Sequence, residues 1–184
     1  IVLSPLDPVQ IEDDTEFHIL PLAIRRLGES ITDSWGSTDS NDEKTIQGSG
    51  TNVKNVIPVD AFTKIDIQGV FDVILKQGTE YSVVIDADEK LQEHIEVDVN
   101  NGVLTVSTGK VKIKKSNRAV VIVTFIELEE IIHSGVGDIS SLNTITSKKL
   151  SLEMIGVGDA ELSLNCALLE LEYNGLGDVI LDGI

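Results

Sequence analysis

The chain has 184 residues, 41% of them hydrophobic, which suffices for one or two domains with a real core. Its 14 Lys and Arg stand against 31 Asp and Glu, a formal net charge of −17. That balance excludes nucleic-acid or anionic-lipid binding through general electrostatics, and no apolar run approaches the roughly 18 residues that span a bilayer.

The acidity is uneven and divides the chain into three regions: an arm or linker over 1–46, a β-meander over 47–125, and repeats over 126–184. Residues 1–46 carry 3 basic and 10 acidic side chains, residues 47–125 carry 9 and 10, and residues 126–184 carry 2 and 11. In the arm stand three of the four prolines, Pro5, Pro8 and Pro21, together with the single Trp35. A short helix is expected from Leu22 to Ile31, weakened by Gly28, and Ser30 to Asn41 reads as a polar linker.

From Val53 onward the β signal is dense. Ala61 to Ile67 alternates, Gly69 interrupts, Val70 to Leu75 continues, and Gln77-Gly78-Thr79 turns the chain into Tyr81 to Ile85. Asp88 to His94 reads as a helical turn with Asp86 or Asp88 as its cap. Ile95 to Val99, the turn Asn100-Asn101-Gly102, and Val103 to Val106 form a hairpin signature. Ala119 to Val123 reads as a more fully buried strand.

The last fifty residues write one signature three times: Gly135-Val136-Gly137-Asp138, Gly156-Val157-Gly158-Asp159 and Gly175-Leu176-Gly177-Asp178. A period near 20 marks a repeat architecture. Leu150 to Met154 and Leu169 to Tyr173 alternate before their corners, and Ala160 to Leu164 and Val179 to Leu181 continue after them. Each unit therefore reads as strand, corner, strand, turn, and needs a stacked neighbour to bury its apolar face. The chain stops at Ile184 in mid-strand pattern, so further repeats or another subunit are expected over the last edge.

Phe62 to Ile65, Gly69 to Val73, Gln77-Gly78, Tyr81 to Val83, Asn101 to Val106 and the Gly-x-Gly-Asp corners together resemble the GIN-domain family of auto-transporter adhesin heads, over about residues 47–184. The resemblance implies an all-β protein with stacking like a right-handed β-helix or solenoid, located in the bacterial cell envelope or secreted. It carries no catalytic residues. The expected function is non-enzymatic binding of a surface polymer or protein, with a glycan-active β-helix enzyme using the Asp column, or a structural or homo-oligomerisation module, as alternatives.

Three kinds of chemistry were weighed on the residues themselves. In-register coils place Asp138, Asp159 and Asp178 about 4.8 Å apart per coil, a separation that adjacent or next-adjacent carboxyls of a glycan hydrolase also use. Any in-register acidic column passes that test, aromatic platforms are few, and the corner residues read as structural. The calcium β-roll has a different register, Gly-x-Gly lacks the third glycine and helix of a nucleotide loop, and His18, His94 and His133 lack ligand spacing. No catalytic, metal or cofactor residue is therefore expected, and single Cys166 reads as core. Lys110, Lys112, Lys114, Lys115 and Arg118 form the one basic patch, a solvated face or a contact for an acidic partner. The chain opens on Ile1, and a targeting segment is expected outside it.

Overall fold

The computed structural model describes residues 2–3, 44–109, 111–114 and 118–183, of which 2, 3, 44 and 111–113 by backbone. The helix expected at 22–31, the linker Ser30 to Asn41, Trp35 and His18 lie outside the described residues. The described residues all belong to one compact unit, Ile1–Asp7 with Lys44–Ile184.

This unit is all-β. In chain order its strands are β1 (Val2–Leu3), β2 (Lys44–Gln47), β3 (Asn52–Pro58), β4 (Lys64–Gln68), β5 (Asp72–Gln77) and β6 (Ser82–Asp88). A four-residue helix, α1 (Glu89–Gln92), leads to β7 (Ile95–Asn100), β8 (Val103–Thr108), β9 (Val111–Lys114) and β10 (Val120–Phe125). Then follow β11 (Glu130–His133), β12 (Ile139–Ser141), β13 (Ile145–Met154), β14 (Ala160–Tyr173) and β15 (Val179–Gly183). All join one curled mixed sheet except β2 and β9, which pair with each other in parallel.

Two parallel ladders meet at the corners. In one, β4, β11, β13 and the second half of β14 stack so that Ile65, Ile131, Leu152 and Leu171 share a column. In the other, β5, β12, the first half of β14 and β15 stack so that Val73, Ile139, Ala160 and Val179 do. Apart from the half-buried Leu171, these residues are 0–1% exposed, so the alternation read from sequence becomes a continuous core. Burying each large aliphatic side chain contributes about 1.5–3 kcal/mol.

Away from the corners the sheet divides. Beyond β4 lie β8 and β7, and beyond β5 lie β10, β6 and β3. The β7–β8 hairpin closes on Asn101 and Gly102, with φ of 51° and 77°, the paired positive values of a type I′ turn. The cap of α1 is Asp88, whose buried carboxylate accepts the N–H groups of Lys90 (3.0 Å), Ser49 (3.0 Å) and Gly50 (2.7 Å). Those donors hold its pKa below the usual carboxylate range, the Ser49 amide most, against the opposing pull of burial.

Two sequence expectations need correction. A turn was expected between the strand at Ala160 to Leu164 and the strand at Leu169 to Tyr173, yet β14 runs unbroken over 14 residues. No Gly or Pro stands between them, and β13 supplies backbone partners along that stretch, with the register lapsing only at Lys148 and Ala167. The outer edge of β15, expected to await further repeats or another subunit, is paired antiparallel by the chain's own β1, through Val2 with Ile180 and Leu3 with Val179.

Candidate functional site

The three signature corners stack, and a fourth joins them. Isolated parallel bridges link Val70 to Val136, Val136 to Val157, and Val157 to Leu176. The first corner is therefore Gly69-Val70-Phe71-Asp72, between β4 and β5. It lies 66 residues before Gly135 because β6 to β10 intervene, which hid it from a search for a period near 20. Its own trace was legible: Ile65 and Ile67 alternate ahead of it, as in the later repeats.

Glycine is required by close stacking. Gly137, Gly158 and Gly177 have φ of 143°, 147° and 135°. A Cβ on each would strike the carbonyl of the corner beneath: Phe71, Gly137 and Gly158 respectively. Gly135, Gly156 and Gly175 are equally confined, by the carbonyls of Gly69, Gly135 and Gly156. Side chains there would force successive coils apart and break the ladder.

The aspartates form a chain of hydrogen bonds up the same stack. The Asp138 N–H donates to Asp72 Oδ1 at 3.0 Å, the Asp159 N–H to Asp138 Oδ1 at 3.0 Å, and the Asp178 N–H to Asp159 Oδ1 at 2.9 Å. The carboxylates of Asp72, Asp138 and Asp159 thus each satisfy a backbone donor of the next corner in the stack. Arg118 clamps the lower end, its Nη2 donating to Asp72 Oδ1 at 2.6 Å and to Asp138 Oδ2 at 2.5 Å, while its Nε pairs with Asp72. The Asp159 amide, and after it Arg118, hold the Asp138 pKa below the usual carboxylate range. An ionised, donor-saturated carboxylate is a poor general acid at neutral pH. Asp72, Ile74, Arg118, Asp138, Asp159 and Glu161 line a shallow depression here of about 340 Å³.

Of the basic patch, Lys110 and Lys115 lie outside the described residues, and Lys112 is described by its backbone in β9. Lys114 is exposed at the end of β9. Arg118 has its guanidinium on the aspartate column. Nothing in its sequence neighbourhood announced this contact, because Asp72 and Asp138 are brought to it by strand pairing.

Two further positions escaped the sequence reading. His133 is fully buried, stacked between Ile67 of β4 and Met154 of β13, and both ring nitrogens lack a hydrogen-bond partner. Burial lowers its pKa, against a smaller opposing pull from Asp138. Its place two residues after Ile131, matching Met154 after Leu152, was the available signal. The second is the x position of each corner: Val70, Val136, Val157 and Leu176 are 51%, 49%, 47% and 64% exposed, an apolar stripe beside the aspartates. Cys166 is a buried free thiol, as expected. Among the described residues no cluster of three His, Cys, Asp or Glu is disposed to hold a metal ion, and no helix is long and apolar enough to cross a membrane.

The family model described as "Putative auto-transporter adhesin, head GIN domain" matches residues 61–184. None of the curated proteins matches the sequence. Among solved structures, a "putative adhesin" from Bacteroides fragilis NCTC 9343 is similar, with TM-score 0.69 and 28% identity over 72% of this chain and 62% of that one. A "putative adhesin" from Parabacteroides merdae ATCC 43184 gives TM-score 0.60 and 21% identity, covering 70% and 55%. One of the same description from Parabacteroides distasonis ATCC 8503 gives 0.52 and 16%, covering 73% and 70%. The chain thus spans about three fifths of the first two of these structures, and the last two support the fold alone.

Proposed function

The chain belongs to the family of auto-transporter adhesin head GIN domains, and on that premise we propose that it is a non-enzymatic binding protein that holds a surface polymer or another protein. The observation that carries the reading is the family match across residues 61–184, joined to the 28% identity with the Bacteroides fragilis protein. An extracytoplasmic setting, in the envelope or secreted, follows from the same premise. The stacked corners are read as coils of a right-handed β-helix, with 1–46 as an arm, 47–125 as the meander and 126–184 as the repeat region. The Gly-x-Gly-Asp residues are its structural corners, and Lys114 with its lysine neighbours remains a candidate contact for an acidic partner.

The depressed pKa of Asp138, held by the Asp159 amide and then by Arg118, disfavours that residue as the general acid of a glycan hydrolase. Beads coated with the protein are expected to be retained on immobilised mucin or extracellular-matrix protein above an albumin-coated control. Incubated with mucin glycans the parent should release no reducing sugar, so Asp138→Asn with Asp159→Asn should change nothing in that assay. Retention no better than albumin on every surface, or glycan cleavage abolished by those two substitutions, would overturn this reading.

A further inference from the structure

Single exposed valines are ordinary on a protein surface, but four in hydrogen-bonded register are a different object. Val70, Val136, Val157 and Leu176 sit on consecutive coils, each about half exposed or more. At a rise of about 4.8 Å per coil the stripe runs roughly 14 Å. Glycines flank Val136, Val157 and Leu176 on both sides and carry no side chain to cover them, while Val70 has Gly69 before it and the buried Phe71 after it. Two positions along the chain, the aspartate column runs in the same register.

The column already holds one cation, and shows which kind fits. Arg118 reaches two successive rungs at once, Asp72 and Asp138, as a planar fork of donors can. The next two rungs, Asp159 and Asp178, repeat the spacing through the same backbone-to-carboxylate bond. Among the described residues neither is paired with a Lys or Arg. The upper corners therefore present the exposed Val157 and Leu176, two positions along the chain from carboxylates that have no Lys or Arg partner among the described residues.

We propose that this strip is a docking face for an arginine-bearing polypeptide segment, whose aliphatic side chains cover Val157 and Leu176 while its guanidinium spans Asp159 and Asp178. Charge selects this occupant. An anionic lipid surface would be repelled by the acidic column and by the net charge of −17, while a second copy would bring Lys114 and its lysine neighbours, point charges that do not match two rungs as the Arg118 fork does. Lysine offers a point charge and reaches one rung, whereas the guanidinium matches two. The proposal rests on the reading of the chain as a binding protein and assigns that binding a face and a partner chemistry.

The test uses the full chain and a fluorescein-labelled peptide of alternating Arg and Val, with Lys/Val and Glu/Val peptides of equal length as comparisons. Fluorescence anisotropy should show the Arg peptide binding tightest, the Lys peptide more weakly and the Glu peptide not at all, with affinity falling as salt rises. Leu176→Ser, and separately Asp159→Asn with Asp178→Asn, should each weaken Arg-peptide binding by about tenfold, the worth of one good charge-assisted or apolar contact. Leu168→Ser, half exposed but off the stripe, should leave it unchanged, and melting curves of all variants identify any that fail to fold. Absence of Arg-peptide binding, equal binding by every folded variant, or tighter association with anionic vesicles or a second copy overturns the proposal. Bead retention separates the two readings: wild type and stripe variants retained alike would sink this face and leave the adhesin reading standing. Peptide binding without retention on any surface would do the reverse.

Discussion

At the scale of single residues, His133 sets the chain's most direct pH dependence. It occupies a core column that Ile67 and Met154 fill with apolar atoms, and neither of its nitrogens is satisfied. Burial lowers its folded pKa below the ordinary 6.5, so the unfolded chain binds the proton first as pH drops. The stability tied to neutral His133 is present above about pH 6.5 and is lost as pH falls from there toward the folded value. His133→Leu should raise stability by about 1–3 kcal/mol at neutral pH, since an unpartnered buried polar group is removed. Its advantage should widen between pH 7 and 5 in urea titrations; a variant no more stable than the parent across that range would contradict this account. Asp138 has the same sign in a lower window: its pKa is depressed, so its contribution is intact above the ordinary 3.8 and is lost as pH falls below it.

Elements stack as closely as their corners permit, and the glycine columns set that limit. Gly158→Ala combines a positive φ with a methyl directed at the Gly137 carbonyl. It should cost at least about 1–3 kcal/mol in thermal or denaturant unfolding, the usual range for a strained backbone position alone. Gly109→Ala, where open space surrounds the Cβ and φ is not in the glycine region, should be neutral by comparison. Elsewhere in the same ladder Gln77 ties three segments together. Its amide donates to the carbonyls of Ile126 (2.9 Å) and Thr146 (3.0 Å) and accepts the Thr146 N–H (2.8 Å), while its backbone exchanges bonds with the Asn143 side chain. Sequence marked Gln77 only as the start of a turn, because its partners lie at least 49 residues away.

For the molecule as a whole, a net charge of −17 opposes compaction. Among the described residues part of it is offset locally, by Arg118 on Asp72 and Asp138, Lys54 on Asp86, Lys64 on Glu130 and Lys149 on Glu170. Raising monovalent salt from about 0.01 to 0.15 M shortens the screening length from about 30 to 8 Å. The melting temperature should rise over that range, a trend opposite to that of a protein held by exposed ion pairs. A melting temperature that falls with salt in differential scanning calorimetry would show that these pairs outweigh the repulsion.

What the sequence determined by itself was local and periodic. Alternation placed strands at 61–67, 70–75, 150–154 and 169–173, of which the first two begin at Lys64 and Asp72. Asn101-Gly102 set a hairpin, Asp86 or Asp88 offered a helix cap that falls to Asp88, and order and spacing of motifs pointed to the family that the match over 61–184 bears out. These features depend on neighbours a few residues apart, so a one-dimensional reading reaches them. Only the tertiary structure decided which corner lies under which. It brought Gly69 to Asp72 beneath the first repeat, carried β14 through an expected turn, buried His133 and set Arg118 on two aspartates. Each of those contacts joins residues about twenty to seventy positions apart, except β14, whose continuity depends on partners in β13. The reason is the same throughout: a backbone group finds its hydrogen-bond partner on the adjacent coil, and the identity of that coil is a property of the folded sheet.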